Sequence, residues 1–151
     1  MQKKILTFII HEKKILALYS EPHPQHDKGG WFVVTGSVEE NEDFEEAVSR
    51  EVMEETGLMV EEIFSLNWGS VYNWDNKICE EHNFVSFVNS KKVTLNEEHS
   101  KYEWLDIDKF IEIIKWDDNK ELLGKVLKKA LNRKIHFRNF TIKDYREGKN
   151  E

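Results

Sequence analysis

The chain has little cysteine and proline, and it lacks any long apolar run. Cys79 is the only cysteine among 151 residues, which excludes an internal disulfide bond and a zinc site built from several cysteines. The longest apolar stretches, such as residues 5–10, are too short to cross a bilayer, and residues 1–11 contain no small-residue cleavage site of the kind found in signal peptides. We therefore expect a cytoplasmic protein with no membrane partner.

The composition is typical of one acidic globular domain. Hydrophobic residues make up 39% of the chain and charged residues 34%, which excludes a disordered protein. The formal net charge of -7 predicts no general attraction to nucleic acid, whose phosphates are negative. An acidic protein can still bind polyphosphates when its carboxylates first bind cations, because the metal reverses the local field.

Apolar runs separated by turn residues predict a chain rich in strands. Residues 4–20 have the pattern of a β-hairpin with a polar turn at 11–14, and Pro22, Pro24 and the glycines at 29 and 30 mark a loop. Further strands are predicted at residues 31–34, 58–72, 78–88 and 102–107, with turns at 36–41 and 73–76. Helical spacing is present at residues 42–56, 108–116 and 119–132.

The helix predicted at residues 42–56 breaks its own apolar pattern. Glu51 and Glu55 occupy positions where the apolar stripe should continue, and Glu54 lies beside them. Their charges repel each other by about 0.2–0.5 kcal/mol per pair, and partial burial raises that cost. Asn41 is the expected N-cap, and Gly57 is the expected stop. The stripe begins with Phe44, Ala47, Val48 and Val52.

Two interpretations of these acids are open. A run of charges is usually a solvated helix face. Alternatively, a tight group of carboxylates binds Mg²⁺ or Mn²⁺, with waters and substrate phosphates completing the coordination. Because the acids interrupt the buried stripe instead of lying opposite it, the pattern favours the metal site.

A longer motif around this helix resembles the Nudix box. The box is Gly, five residues, Glu, seven residues, Arg-Glu, an aliphatic residue, any residue, Glu-Glu, any residue, Gly and an aliphatic residue. The chain matches it in full from Gly36 through Glu42 to residues 50–58. If each of its seven fixed identities occurs at about 7%, chance agreement at one register is on the order of 10⁻⁸. The chain is therefore identified as a member of the Nudix hydrolase (MutT-like) family.

The resemblance implies a fold, a cofactor and a ligand set. The implied fold is an α/β/α sandwich with a mixed β-sheet, in which a loop, the helix and a second loop form the metal site. The implied cofactor is Mg²⁺, with Mn²⁺ as a substitute. Arg50 is implied to pair with a motif glutamate and orient it, and Glu42 to be structural. The implied metal ligands are the main-chain carbonyl of Gly36 and the carboxylates of Glu51, Glu54 and Glu55.

Residues outside the box resemble one branch of the family. The run 31–39, with Thr-Gly-Ser where many members have Pro-Gly-Gly, is similar to the branch that acts on dihydroneopterin triphosphate and on deoxynucleoside triphosphates such as dATP. Residues 96–99 and 102–105 are similar to that branch's Glu-Glu-His and aromatic-Trp-Leu stretch, but asymmetric dinucleoside tetraphosphate hydrolases also have a Glu-His there. By this match Glu98 is a further metal ligand or base. The alternative is a surface-loop glutamate.

We therefore predict Mg²⁺-dependent hydrolysis of a phosphoanhydride bond in a nucleoside-triphosphate-like substrate, either a dNTP or dihydroneopterin triphosphate. The products are a monophosphate and pyrophosphate. The candidate catalytic residues are Glu54 and Glu98, either of which can accept a proton from water, and Arg50. Glu51 is a further alternative for the base, because the resemblance implies no single fixed base. The candidate substrate contacts are Trp31, Lys28 and Tyr72, although aromatic residues in strands are more often core.

Two other functions stay open. Hydrolysis of a dinucleoside polyphosphate (Ap4A-type) or of an RNA 5′ end is one, and a basic channel would favour activity on RNA. A non-catalytic nucleotide sensor is the other, but such a protein is expected to lose box glutamates, and this chain keeps all of them. A monomer and a homodimer are both compatible with the sequence. The basic residues available for a channel are in the tail: Arg133, Lys134, Arg138, Lys143 and Arg146.

The resemblance does not extend over the whole chain. It covers about residues 4–131, so we assign residues 1–132 to the Nudix hydrolase domain. Residues 133–151 are predicted to be a C-terminal extension of unknown role.

Overall fold

The computed structural model describes residues 1–22 and 29–134, and the backbone alone of Thr141–Asp144. The strands are β1 (Gln2–His11), β2 (Lys14–Ser20), β3 (Gly30–Phe32), β4 (Val34–Ser37), β5 (Val60–Trp74), β6 (Lys77–Val88), β7 (Lys101–Leu105) and β8 (Thr141–Asp144). The helices are α1 (Phe44–Thr56), α2 (Ile107–Ile113) and α3 (Lys120–Leu131).

Strand β1 lies at the centre of a mixed sheet. It runs parallel to β6, from the pair Gln2 and Cys79 to the pair Ile10 and Phe87. Its other edge is antiparallel to β4 and to β2. The sheet continues beyond β6 through the antiparallel strand β5, and β7 pairs with β2. Such a sheet is buried on both faces, which explains the nearly unbroken apolar run of β1.

The segment containing β3 and β4 extends the first hairpin. β1 and β2 pair next to their turn, at Ile10 with Ile15 and at His11 with Lys14. Farther from the turn, β4 pairs with β1 and β3 pairs with β2. Gly36 thereby lies opposite Ile5 of β1. This pairing fixes the main chain at the start of the loop that leads into α1.

Alternating side chains of β1 contribute to two separate cores. Ile5 and Ile9 belong to a cluster that includes α1, whereas Phe8 and Ile10 belong to a cluster that includes α2 and α3. Because successive side chains of a strand point to opposite faces, α1 covers one face of the sheet and α2 and α3 cover the other. The predicted α/β/α sandwich with a mixed sheet is confirmed. None of the described helices is both long and apolar enough to span a bilayer.

The structure corrects two predicted boundaries. α1 begins at Phe44, and its N-cap is Asp43 rather than Asn41. Asn41 instead has a positive φ of 67° in the preceding turn, a conformation that asparagine tolerates better than most residues. Gly36 lies in β4 and not in the predicted turn, because its main chain pairs with β1.

The tail after residue 132 is described only in part. The backbone of β8 runs parallel to β5, with Thr141 opposite Trp68. Arg133 forms an ion pair with Glu62 and lies 3.9 Å from the ring centroid of Phe87. The side chains of Arg138, Lys143 and Arg146 lie outside the described residues. The domain boundary at residue 132 stays a prediction.

Candidate active site

Caps at both ends of α1 fix the positions of its acidic side chains. Asp43 Oδ1 accepts from the N–H of Glu46 at 2.7 Å, and Glu46 Oε1 accepts from the N–H of Asp43 at 2.9 Å. This capping box satisfies two N–H groups that a helix otherwise leaves unpaired. At the other end Gly57 has a φ of 72°, and its N–H donates to the carbonyl of Met53 at 2.9 Å. The predicted helix stop at Gly57 is confirmed.

Glu55 is the most deeply buried acid of α1. It is 2% exposed. Burial, together with the charges of Glu98 and Glu51, raises the pKa of Glu55 to about 9. Its Oε2 has no hydrogen-bond partner among the described residues, although buried polar atoms are nearly always paired. The last third of α1 therefore contains a buried acid with one unpaired carboxylate oxygen.

Glu51 lies between Glu55 and the main chain of β4. Its side chain is 14% exposed, and burial is the largest cause of its raised pKa, while a hydrogen bond with Glu55 opposes that effect. A Cβ at Gly36 would overlap the Glu51 carboxylate. Only glycine therefore allows the main chain of β4 to lie this close to the helix. The resulting site combines one main-chain segment with the half-buried Glu51 and the buried Glu55.

Arg50 links these acids to the loop that precedes the helix. Its Nε donates to Glu42 Oε2 at 2.8 Å, and its Nη2 donates to the carbonyl of Ser37 at 2.8 Å. Its Nη1 donates to Glu51 Oε1 at 2.5 Å and to Glu54 Oε1 at 3.2 Å. The hydrogen bond between Arg50 and Glu42 lowers the pKa of Glu42 and raises that of Arg50. Arg50 thus contacts three glutamates of the motif at once.

Glu54 and Glu98 form the exposed rim of the site. The Glu54 side chain is 53% exposed. Glu98 is exposed in the loop before β7, where its N–H donates to Asn96 Oδ1 at 3.0 Å. Its charge is close enough to raise the pKa of Glu55. The adjacent His99 is half-buried, with its Nδ1 3.8 Å from Glu55 Oε1, and this partial burial lowers its pKa.

These residues fit a divalent cation. A buried carboxylate with an unpaired oxygen and acidic neighbours is stabilised by positive charge, and carboxylate and carbonyl oxygens are the ligands that Mg²⁺ prefers. Within residues 1–22 and 29–134, no three acidic, histidine or cysteine side chains are already gathered into a complete metal site. The full ligand set therefore stays a prediction. Its members are Gly36, Glu51, Glu54, Glu55 and Glu98.

A cavity of about 480 Å³ lies on the face of the sheet that α2 and α3 cover. This volume is within the range of small-molecule sites, about 300–1,000 Å³. Ile5 of β1 pairs with Gly36, and the next residue, Leu6, lines the cavity. Ile5 and Leu6 are adjacent in β1 but point to opposite faces of the sheet, so the cavity lies on the face opposite α1. The other lining residues are Phe32, Trp68, Gly69, Ser70, Tyr72, Glu81, Asn83, Lys115, Trp116, Asp117 and Asp118.

Glu81 supplies a half-buried acid to this cavity. The Tyr72 hydroxyl donates to Glu81 Oε2 at 3.3 Å. Burial raises the pKa of Glu81 to about 7, against the opposing effects of the Tyr72 hydrogen bond and the Lys4 charge. Burial also raises the pKa of Tyr72, which therefore keeps its proton and acts as a donor.

The three predicted substrate contacts have different surroundings. Tyr72 lines the cavity. Trp31 is outside its lining and packs against Tyr19, with ring centroids 5.2 Å apart. Lys28 lies outside the described residues. All three stay predictions as substrate contacts.

Sequence reasoning missed Glu81 and the cavity residues of the α2–α3 connection. The signal for Glu81 was a polar interruption, Glu-Glu-His at 80–82, in a predicted strand that is otherwise apolar near its end. The signal for the connection was Trp116 followed by Asp117 and Asp118, where a large aromatic residue precedes two acids between helices.

Comparisons with known proteins agree with this geometry. The NUDIX domain family matches residues 2–126. The NAD-capped RNA hydrolase NudC of Vibrio cholerae is 40% identical over 55 residues, which are 36% of this chain and 20% of that protein. The chain therefore spans only about a fifth of that relative's length.

Solved structures show a similar fold. A MutT protein from Bacillus halodurans has a TM-score of 0.67 and 18% identity, and the match covers 97% of this chain and 90% of that chain. An Ap4A hydrolase from C. elegans has a TM-score of 0.55 and 20% identity, and the match covers 88% of this chain and 97% of that chain. At these identities the likeness shows the fold alone.

Proposed function

The chain belongs to the NUDIX domain family, and on that premise we propose that it is a pyrophosphohydrolase dependent on a divalent metal, Mg²⁺ in the first place. It hydrolyses the bond between the α- and β-phosphates of a nucleoside-triphosphate-like compound. The products are a monophosphate and pyrophosphate.

The unpaired carboxylate of Glu55 is the observation that carries this proposal. An acid that is 2% exposed, with an oxygen that has no partner among the described residues, destabilises the fold in its ionised form unless a cation offsets its charge. Glu51 hydrogen-bonds with Glu55, and the main chain of Gly36 lies against the Glu51 side chain. A purely structural helix would place an apolar side chain at this position, because it faces the core.

The acidic site binds the cation, and the acids of its exposed rim accept a proton from the attacking water. Glu51 and Glu55 would be the inner ligands, and Glu54 and Glu98 would complete the set. When bound, the metal neutralises phosphate charge and lowers the pKa of water. Arg50 orients Glu51 and Glu54 through its hydrogen bonds and prevents their mutual repulsion from separating them.

Glu54 or Glu98 then acts as the general base. The water oxygen forms a bond to phosphorus, its proton passes to the carboxylate, and the bridging P–O bond breaks with its electrons going to the leaving pyrophosphate. Glu54 and Glu98 are suited to this role because they are exposed, whereas the buried Glu55 has a pKa of about 9 and is protonated at neutral pH when no cation is bound.

The cavity accommodates the ring of the substrate. Its aromatic side chains, Phe32, Trp68 and Trp116, offer stacking surfaces.

Hydrolysis of a panel of substrates tests this proposal. The purified chain with Mg²⁺ is given dNTPs, dihydroneopterin triphosphate, Ap4A, NDP-sugars and capped RNA, and pyrophosphate, orthophosphate and nucleotide products are measured separately. We expect pyrophosphate from a triphosphate, and we expect Glu55→Gln to abolish its release. The exposed Glu45→Gln, at the other end of the same helix, is the matched control. No turnover on any substrate would favour a nucleotide sensor.

A second candidate function is hydrolysis of a dinucleoside polyphosphate or an RNA 5′ end. The names of two similar proteins, an Ap4A hydrolase and an NAD-capped RNA hydrolase, favour including it. Preferential turnover of Ap4A or capped RNA in the same panel would select this function over triphosphate hydrolysis.

A further inference from the structure

The cavity contains an acceptor with unused hydrogen-bonding capacity. An ionised carboxylate accepts about four hydrogen bonds. Within the part of the chain that the structure describes, the Tyr72 hydroxyl is the only hydrogen-bond donor to Glu81, and it contacts Oε2. Burial penalises the Glu81 charge more than Tyr72 and Lys4 compensate it. A ligand that donates hydrogen bonds to Glu81 would make up the deficit.

The sheet directs Glu81 into the cavity. Ser70 of β5 lies opposite Glu81 of β6, and Tyr72 lies two residues farther along β5, so all three side chains share one face. Asn83, two residues along β6 and 5% exposed, extends the same polar edge. Backbone pairing therefore fixes this edge, which does not depend on a loop.

The charges around the cavity also favour a ligand that donates hydrogen bonds. Glu81, Asp117 and Asp118 contribute carboxylates to its lining, and Lys115 contributes one cation. Trp68 and Trp116 also line it, with ring centroids 5.5 Å apart and ring planes inclined at 60°. A flat ring that stacks on one of these indoles would have the carboxylates of the lining near its edge.

Nucleobases differ in what their edges present to a carboxylate. Guanine has a ring N–H next to an amino group, which gives two parallel donors that match the two oxygens of a carboxylate. Pterins have the same 2-aminopyrimidin-4-one edge. Adenine has an amino group next to a ring nitrogen that only accepts, so one carboxylate oxygen would face a lone pair. A site that accepts a hydrogen bond from a ligand discriminates strongly against ligands without that donor. This discrimination is far greater than a site can achieve by shape alone.

We infer that the cavity selects a 2-aminopyrimidin-4-one ring, as in guanine nucleotides and pterins, and that Glu81 accepts from its two N–H donors. The inference rests on the proposed function for the presence of a nucleotide-like ligand, and it narrows the substrate class. Glu81 is then a specificity-determining residue that contacts the ring and not the phosphates.

Binding without metal tests the ring preference separately from hydrolysis. The full chain in EDTA is titrated with dGMP, dAMP, dCMP and dTMP, which share one sugar and phosphate, and binding is followed by tryptophan fluorescence. We expect dGMP to bind at least about tenfold more tightly than dAMP, which corresponds to about 1.4 kcal/mol. Equal binding, or tighter binding of dAMP, overturns the inference. This comparison needs no variant.

Variants then test the role of Glu81. Glu81→Gln keeps the shape but replaces one acceptor by a donor, so the preference for dGMP over dAMP should fall to less than about threefold. Glu61→Gln, an exposed substitution on β5, should keep it. Tyr72→Phe removes the hydroxyl that orients Glu81 and should weaken dGMP binding while preserving the order of the ligands. An unchanged preference in Glu81→Gln contradicts the assignment.

Pterin monophosphate in the same titration distinguishes the two sources of the ring. Tighter binding of dGMP assigns the cavity to guanine nucleotides, and tighter binding of the pterin assigns it to pterins. If neither dGMP nor the pterin monophosphate binds more tightly than dAMP, the inference is overturned, even if the substrate panel shows hydrolysis. Conversely, a retained preference without hydrolysis would refute the proposed reaction and leave the ring assignment intact.

Discussion

Glu54 and Glu55 are neighbours in the chain but have opposite environments. Glu55 faces the core at 2% exposure, whereas the Glu54 side chain is 53% exposed and contacts Arg50. One turn of helix thus presents an inner acid suited to binding a cation and an outer acid suited to exchanging protons with water. The division of roles follows from helix geometry, since adjacent residues are about 100° apart around the axis.

Glu54→Gln tests whether Glu54, the outer acid, accepts the proton from water. The substitution keeps the size and the contact with Arg50 but removes the proton acceptor, so turnover should fall by at least about 10²-fold, the lower limit for general base catalysis. Steady-state kinetics on the best substrate of the panel measure this, with Glu45→Gln as the control. Near-normal turnover in Glu54→Gln, combined with a large loss in Glu98→Gln, would assign the base to Glu98.

Individual site residues differed in how well the sequence revealed them. Glu51 and Glu55 were found because they interrupt a helical stripe, and their burial agrees with that reasoning. The contact of Arg50 with the carbonyl of Ser37 was not foreseeable, because it depends on where a loop passes the helix. Glu81 was missed because its environment arises from β5 and the α2–α3 connection, which are distant in sequence.

Helix α1 shows how far local patterns determine an element. The sequence correctly placed its stripe and its end at Gly57, because both depend on residues within one turn. The predicted N-cap was wrong by two residues. Asn41 and Asp43 are both good capping residues, and the reciprocal bonds between Asp43 and Glu46 decide between them.

Two glycine substitutions test how backbone conformation at the end of α1 and inside α3 affects the stability of the protein. Gly57→Ala places a Cβ on a residue with φ of 72° and 3.3 Å from Thr94 Cβ, so it should destabilise the protein by about 1–2 kcal/mol. Gly124→Ala lies inside α3, where the new Cβ would make an ordinary 3.8 Å contact with Ile111. It should stabilise the protein by roughly 0.5–1 kcal/mol. Urea unfolding of both variants measures these effects, and equal shifts of the same sign would refute the argument.

At the scale of the whole molecule, the fold class was predictable but the strand order was not. Apolar runs and turn residues indicate where strands begin and end, and the Nudix resemblance supplied the sandwich. The parallel pairing of β1 with β6 joins residues nearly 80 positions apart, as in the pair Leu6 and Asn83. No local pattern encodes that contact. This pairing places Glu81 and Asn83 of the cavity along one edge of β1, while the other edge pairs with Gly36.

The acidic site should make the stability of the whole domain depend on pH and on metal. The pKa of Glu55 is about 9 when folded and 4.5 for the free side chain, so the folded state binds more protons between these values. Unfolding free energy therefore falls as pH rises through this range. Between pH 7 and 9, above the Glu81 pKa of about 7, Glu55 should account for a loss of about 1–3 kcal/mol in EDTA.

Urea unfolding at pH 7 and pH 9, with EDTA or with saturating Mg²⁺, measures this linkage. Mg²⁺ binds the ionised carboxylates of the folded state, so it should stabilise the protein more at pH 9 than at pH 7 and reduce the loss. Glu55→Gln cannot ionise, so it should be nearly indifferent to this pH change and should lose most of the Mg²⁺ effect, whereas Glu45→Gln should behave as the unmodified chain does. If Glu55→Gln lost as much stability between pH 7 and pH 9 in EDTA as the unmodified chain, the pH dependence would come from another group. The cost of burying the ionised Glu55 carboxylate could then not be the reason this domain needs a cation.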